Sequence, residues 1–300
     1  MAAVAWIAVD WGTTHVRVWL MSADGQVIEA RSGDRGMGAL AQDGYELALL
    51  ALISDVLGHG PVPVIICGMA GAKQGWAEAP YASVPCAPPD VSSAKRVPTQ
   101  DARVQVYILS GVSQRNPADV MRGEETQIKG LIATQPDFDG VACLPGTHTK
   151  WAHLSAGEIV SFQTFMTGEL FALLSLQSVL RHSVATEGWD DAAFATAVDD
   201  AMGRPQTIAA KLFGLRANAL LGGLEGAEAR ARLSGLLIGI ELAASRPYWL
   251  GQQVALIGAA ASADPYETAL TAQGVPVLRM DPTDMTLAGL RAAYSKLDQI

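Results

Sequence analysis

Three hundred residues, half of them hydrophobic and 17% charged, are ample for two buried cores, and the net charge of −9 excludes nucleic acid or an anionic membrane surface as the general partner. The N-terminus carries no basic region before Asp10, and no uninterrupted apolar run reaches the roughly 18 residues of a membrane span, so a cytoplasmic protein with small-molecule partners is expected. Cys67, Cys86 and Cys143 are odd in number and lack metal-ligand spacing, which predicts reduced thiols rather than a disulfide framework.

In chain order, Val4 to Asp10 reads as a strand ending in a tight Gly12-Thr13-Thr14 turn. Val16 to Leu20 continues as a second strand, and Asp24-Gly25 makes a hairpin turn into a third at Val27-Ile28. A bend rich in glycine (Gly33, Gly36, Gly38) precedes a predicted helix from about Asp43 to Leu57, with Leu47, Leu50 and Ile53 on its apolar face. Val62 to Cys67 is a short apolar strand. Five prolines between 72 and 103 predict a loop, before a strand at Val104 to Leu109 and a helix starting near Glu124.

The second half repeats this order. Val141 to Leu144 is a strand ending in Pro145-Gly146-Thr147-His148-Thr149, followed by Lys150 to Leu154, a turn at Ala156-Gly157, and Ile159 to Phe165. A helix from about Gly168 to Leu180 and a helical region from 190 to 245 lead to a strand at Val254 to Ile257. That strand enters Gly258-Ala259-Ala260-Ala261-Ser262. Asp264, Pro265 and Glu267 then read as N-cap, first helical residue and capping-box partner of a helix stopping at Gly274. Val275 to Leu278 is the last predicted strand and Thr286 to Leu297 the last helix. Two copies of one mixed α/β unit imply a cleft between them, with domains at 1–135 and 136–300.

A carboxylate delivered by an apolar strand into a Gly-Thr-Thr turn suits a phosphate and its metal: Asp10 can hold Mg²⁺ through water while amides and hydroxyls face the anion. Such a turn is also a common hairpin connection, and Arg17 on the next strand is either a phosphate partner or an exposed strand arginine. Phosphoryl transfer also needs a group to orient a hydroxyl. Glu124 and Glu125 are the candidates, with Glu125 placed first, although acidic residues favour a first helical turn in any case.

Four strings carry a family resemblance: Cys67-Gly68-Met69-Ala70-Gly71; Gln74-Gly75-Trp76 with Glu78-Ala79-Pro80-Tyr81; Met121-Arg122-Gly123-Glu124-Glu125-Thr126-Gln127; and Leu144-Pro145-Gly146-Thr147-His148-Thr149-Lys150-Trp151. Together with the duplicated hairpin units, they resemble the 2-dehydro-3-deoxygalactonokinase family of the sugar kinase, Hsp70 and actin superfamily, over nearly the whole chain. The resemblance implies two duplicated ribonuclease H-like (actin-like ATPase) domains of α/β class, whose mixed sheets flank a nucleotide cleft. It implies transfer of the ATP γ-phosphoryl group to the C6 hydroxyl of 2-dehydro-3-deoxy-D-galactonate, with ATP and Mg²⁺ as cofactors.

In that resemblance Asp10 positions the metal, and Gly12, Thr13 and Thr14 approach the phosphates. Gly146, Thr147, His148, Thr149 and Lys150 form the second phosphate turn, and Gly258, Ala259 and Ala260 form an adenosine-contacting turn. The substrate's carboxylate calls for a cation, for which Arg35, Lys73 and Arg122 stand in suitable segments, and Trp76 is a candidate floor for the sugar-acid pocket, with 72–103 as the substrate loop. Another sugar-acid kinase, a phosphohydrolase, or a nucleotide-gated binding protein stays open as an alternative. A homodimer stays open as well.

Overall fold

The apolar run before Asp10 forms β1 (Trp6–Trp11), paired antiparallel with β2 (Val16–Met21), which pairs with β3 (Val27–Gly33). The computed structural model describes residues 3–299. Strand alternation sorts β1 between two cores: Ile7, Val9 and Trp11 pack with α1 (Tyr45–Ile53), while Trp6 and Ala8 face the other side of the sheet. Helix α1 buries Tyr45, Ala48, Leu49 and Ile53 and leaves Leu47 70% exposed. The expected face through Leu47 is therefore off by about one helical step, because the helix starts at Tyr45, whose ring anchors it against Trp11.

β4 (Val62–Gly68) lies parallel to β1. The proline-rich stretch is more structured than expected: β5 (Tyr81–Ser83) and β6 (Lys95–Val97) lie within it. β6 pairs antiparallel with β7 (Val104–Ile108), giving the sheet order β3-β2-β1-β4-β7-β6. Two strands absent from the sequence reading, β8 (Gly111–Arg115) and β9 (Ala118–Met121), form a small sheet with β5 and deliver the chain into α2 (Glu124–Thr134).

The repeat is borne out in a second sheet. It is built from β10 (Gly140–Leu144), β11 (Thr149–Ser155), β12 (Glu158–Phe165), β13 (Val254–Ile257) and β14 (Val277–Met280) in the order β12-β11-β10-β13-β14, matching β3-β2-β1-β4-β7 strand for strand. Between β12 and β13 come α3 (Thr167–Leu176), α4 (Asp191–Gly203), α5 (Ile208–Leu221), α6 (Gly226–Ala244) and the short α7 (Arg246–Trp249). Helices α4 and α6 cross where Gly235 and Gly239 stand; a Cβ on Gly239 would lie 2.7 Å from the Val198 carbonyl oxygen.

β13 (Val254–Ile257) leads directly into α8 (Ala260–Ala272), followed by β14 (Val277–Met280). The expected cap at Asp264 is thus overturned: α8 begins at Ala260, and Pro265 sits inside it. Asp264 and Glu267 instead both bind Arg279, at 2.8 and 2.9 Å. The ion pairs account for the acidic residues that resembled a capping box.

The chain forms two compact units. One comprises the residues up to Asp139, Leu154–Ser161 and the segment from Asp281 onward; the other comprises Gly140–His153 and Phe162–Met280. The first crossing lies close to the expected boundary at 135. The last helix, α9 (Pro282–Tyr294), belongs to the first unit rather than the second. It packs on α2 at a glycine crossing, where a Cβ on Gly289 would fall 1.9 Å from the Thr126 carbonyl oxygen and one on Gly130 2.0 Å from that of Met285. Its Tyr294 stacks on Trp6 at 4.3 Å. No helix among the described residues is long and apolar enough to cross a membrane.

Candidate active site

In the first unit, Asp10 is the penultimate residue of β1 and its Oδ2 is paired with Arg17 on β2, which also donates to Thr283 at the start of α9. The adjacent turn is held from behind. Gly12 donates to the His15 carbonyl, while Gly36, Met37 and Gly38 donate to the carbonyls of Thr14, Gly12 and Thr13 at 2.9–3.0 Å. A side chain on Gly36 would strike the Thr13–Thr14 peptide at 2.3–2.5 Å, so the glycine bend is a brace for the turn. Thr13 and Thr14 remain exposed on its outer side.

Two further elements stand behind Asp10, β4 directly and the start of α2 through it. At the end of β4, Gly68 (φ +87°) lies so close that an added Cβ would stand 3.2 Å from Asp10 Oδ1, and Gly123 (φ +111°) sits against Gly68 in turn. Gly123 is the N-cap of α2, and its N–H donates to Glu125 Oε2 at 2.7 Å. Glu125 is 1% exposed. Burial, reinforced by the neighbouring charge of Glu124, pushes its carboxyl up to about 8 against the backbone N–H groups that favour ionisation. Glu124 is less buried, and its Oε2 accepts from the Arg122 N–H.

Arg122 is the cation best placed beside this group. Its guanidinium lies 4.3 Å over the Tyr81 ring, and Nη2 donates to the Ala79 carbonyl at 2.9 Å. Nε and Nη1 are buried with no hydrogen-bond acceptor. Orphaned guanidinium donors in a protein interior are costly and call for an anion. Arg35 and Lys73 are exposed, and Arg35 contributes its carbonyl to the Trp11 indole. Trp76 is not an open floor: it is 7% exposed, stacked with Tyr45 at 6.0 Å and edge-on to Trp11 at 6.1 Å, within the first core.

In the second unit, the Gly146–His148 turn is exposed and α3 is pressed against it: Glu169 N–H donates to the Thr147 carbonyl at 2.9 Å, and a Cβ on Gly168 would lie 2.2 Å from the Gly146 oxygen. His148 is hydrogen-bonded to Glu169 at 2.5 Å. Thr149 and Lys150, expected at the phosphates, have buried side chains; the Thr149 hydroxyl is bonded to Tyr266 at 2.9 Å. β11 starts at Thr149, whose side chain lies under α8, and both faces of the strand are covered at this end, so Lys150 on the opposite face is buried as well.

A cavity opens beside the turn. Its wall includes Gly146, Gly168, Phe171, Arg230, Ala261 and Tyr266. Helices α3 and α8 both begin here with no side-chain cap, so their first N–H groups and dipoles favour an anion. Gly258 is buried and Ala259 and Ala260 are exposed at the α8 start. The sequence reading missed Thr167, Arg230, Glu241 and Tyr266, whose places in the wall or behind it depend on helix packing rather than on any local motif.

The duplicated five-strand pattern and paired turns define an actin-like ATPase fold of the kind sugar kinases use. The chain belongs to the 2-keto-3-deoxy-galactonokinase family, whose sequence profile matches residues 10–293. A probable 2-dehydro-3-deoxygalactonokinase, DgoK1, of Rhizobium meliloti (strain 1021) is 40% identical, the alignment covering 95% of each chain. The 2-dehydro-3-deoxygalactonokinase of Escherichia coli (strain K12) is 32% identical over 96% of each. A crystal structure of a protein of the same designation from Sinorhizobium meliloti superposes with a TM-score of 0.92 at 38% identity, covering 98% of this chain and all of the other.

Proposed function

We propose that the protein is an ATP-dependent sugar-acid kinase that phosphorylates the C6 hydroxyl of 2-dehydro-3-deoxy-D-galactonate, releasing ADP, in galactonate catabolism. The observation that carries the mechanism is the run of close contacts from Asp10 through Gly68 and Gly123 to Glu125, a buried carboxyl with a raised pKa, both carboxylates acting on the Cys67 thiol. Names of relatives covering nearly the whole chain support the substrate.

Among the described residues, no cluster of three histidine, cysteine or acidic side chains exists. Asp10 is the carboxylate that would hold a Mg²⁺ brought in with ATP, and the ion would draw charge from the transferring group. The Thr13–Thr14 turn offers its exposed face to phosphate oxygens, and Arg17 fixes the Asp10 rotamer and balances charge. Glu125 takes the proton of the C6 hydroxyl as its oxygen bonds to the γ-phosphorus and the bond to ADP breaks. Arg122, whose Nε and Nη1 are buried without an acceptor, supplies the positive charge that offsets the substrate carboxylate. The cavity of the second unit takes the nucleotide, with its own helix N-termini and the Gly146–His148 turn at its wall.

The test is ADP release with and without the keto-deoxy acid in wild type and Asp10→Asn. Release that depends on the acid in wild type, and falls by at least ~10²-fold in the nearly isosteric variant with its melt unchanged, is expected. Acid-independent release would indicate a phosphohydrolase, and wild-type turnover by Asp10→Asn would remove Asp10 from the mechanism.

A further inference from the structure

Glu241 is the other carboxylate buried at the bottom of a site. It lies in α6, one turn beyond Leu237 and Ile238, which face the cavity of the second unit, and it is 1% exposed. Three donors from three other elements end on it. The Trp151 indole N–H of β11 donates to Oε1 at 2.7 Å, and the Tyr266 hydroxyl of α8 donates to Oε2 at 2.7 Å. The Thr167 hydroxyl, in the first turn of α3, also donates to Oε2. Tyr266 hydroxyl is bonded in addition to Thr149, the residue that leaves the Gly146–His148 turn. Every oxygen is satisfied, so the network is rigid, and a buried carboxylate kept only for stability would be matched or bettered by apolar packing.

We infer that Glu241 is the positioning residue of the nucleotide cavity. This rests on the reading of that cavity as the ATP site. One carboxylate registers the two uncapped helix starts, through Thr167 and Tyr266, and the phosphate turn, through Tyr266 and Thr149. Anion-binding N–H groups act only if their directions agree to within a fraction of an ångström, and the hub sets that agreement from behind without touching the nucleotide. Glu241 thereby acts on affinity for ATP, not on the sugar acid and not on the proton transfer.

The experiment is the steady-state kinetics of Glu241→Leu, Glu241→Gln and Tyr266→Phe, with Ala261→Glu as a probe of the cavity wall. Leucine removes the acceptor; the KM for ATP should rise at least ~10-fold while kcat at saturating ATP and the KM for the sugar acid stay within ~3-fold. Glutamine keeps the shape and turns the hydroxyls of Thr167 and Tyr266 into acceptors of its amide, so it should recover most of the lost affinity. Tyr266→Phe removes the bond to Thr149 and one of the donors on Glu241, leaving Thr167 and Trp151 on the carboxylate; it should give an intermediate rise, which keeps the test alive if Glu241→Leu does not fold. Ala261→Glu places a carboxylate at the mouth of the cavity and should raise the KM for ATP strongly. If Ala261→Glu leaves that KM unchanged, the cavity is not the ATP site and the inference falls with it. If Ala261→Glu raises it and neither Glu241→Leu nor Tyr266→Phe does, the site stands and the positioning role is overturned. An equal rise in both KM values, or a fall in kcat alone, also overturns it.

Discussion

Glu125 carries a conflict between its place at a helix start, which favours its charge, and its burial, which opposes it. Burial wins, lifting the carboxyl from 4.5 to about 8. A group whose pKa is raised on folding contributes stability that is complete below its unfolded value and is lost as pH climbs through the folded one. Stability should therefore fall as pH climbs from about 4.5 and level off above about 8, while kcat, which needs the ionised carboxylate, should rise around pH 8. Glu125→Gln should flatten that rise and lower kcat by roughly 10²- to 10⁴-fold, since the amide still accepts from Gly123 and cannot take a proton. Glu124→Gln should keep most of the rate, because one residue along the helix turns its side chain about 100° away. It removes the second cause of the raised pKa, so the rise in rate should move to lower pH. A pH–rate series on the three proteins measures both effects, and the opposite ranking would pass the role to Glu124. The pair was readable from its place after Gly123. Its burial was not, because the residues on either side of it, Gly123 and Thr126, pack against Gly68 of β4 and Gly289 of α9, far away in sequence.

At the level of elements, strands were easier to read than helix starts. The hairpins around Gly12 and Gly146 follow from alternation and turn residues, which are local. The α8 start was misplaced because Asp264 and Pro265 imitate a cap, whereas Ala259 caps nothing and leaves N–H groups for a ligand. Strands β8 and β9 were missed since they are short, and their pairing with β5 is a long-range event. Glycines inside helices carried information that periodicity ignores: Gly130 and Gly289 let α2 and α9 touch backbone to backbone. Gly289→Ala ordinarily favours a helix by about 1 kcal/mol, yet here the methyl group would meet the Thr126 carbonyl. A net loss of roughly 1–3 kcal/mol is expected, as for overpacking. Thermal melts would register it, and kcat should fall too because Thr126 adjoins Glu125. An unchanged melting temperature would mean that the crossing is loose.

The whole molecule departs most from the linear reading in how chain and units correspond. Duplication is visible in sequence because each copy repeats its own turns, but the return of α9 to the first unit leaves no local mark. A chain ending at Met280 should consequently lose order in the first unit, not the second: α2 would lose its partner, Trp6 its stacked Tyr294, and Arg17 its bond to Thr283. Hydrogen exchange should show lost protection over α2 and β1 with α4 and α6 still protected; loss confined to α4 and α6 would reverse this assignment. The same return has a consequence for synthesis. Domains generally fold as they emerge from the ribosome, at about 5–20 residues per second. Here the first unit waits for α9, so a nascent chain cannot finish packing α2 around Glu125 until the whole second unit has emerged. Termination between the second unit and α9 would yield a chain with one finished unit and an unassembled carboxylate set.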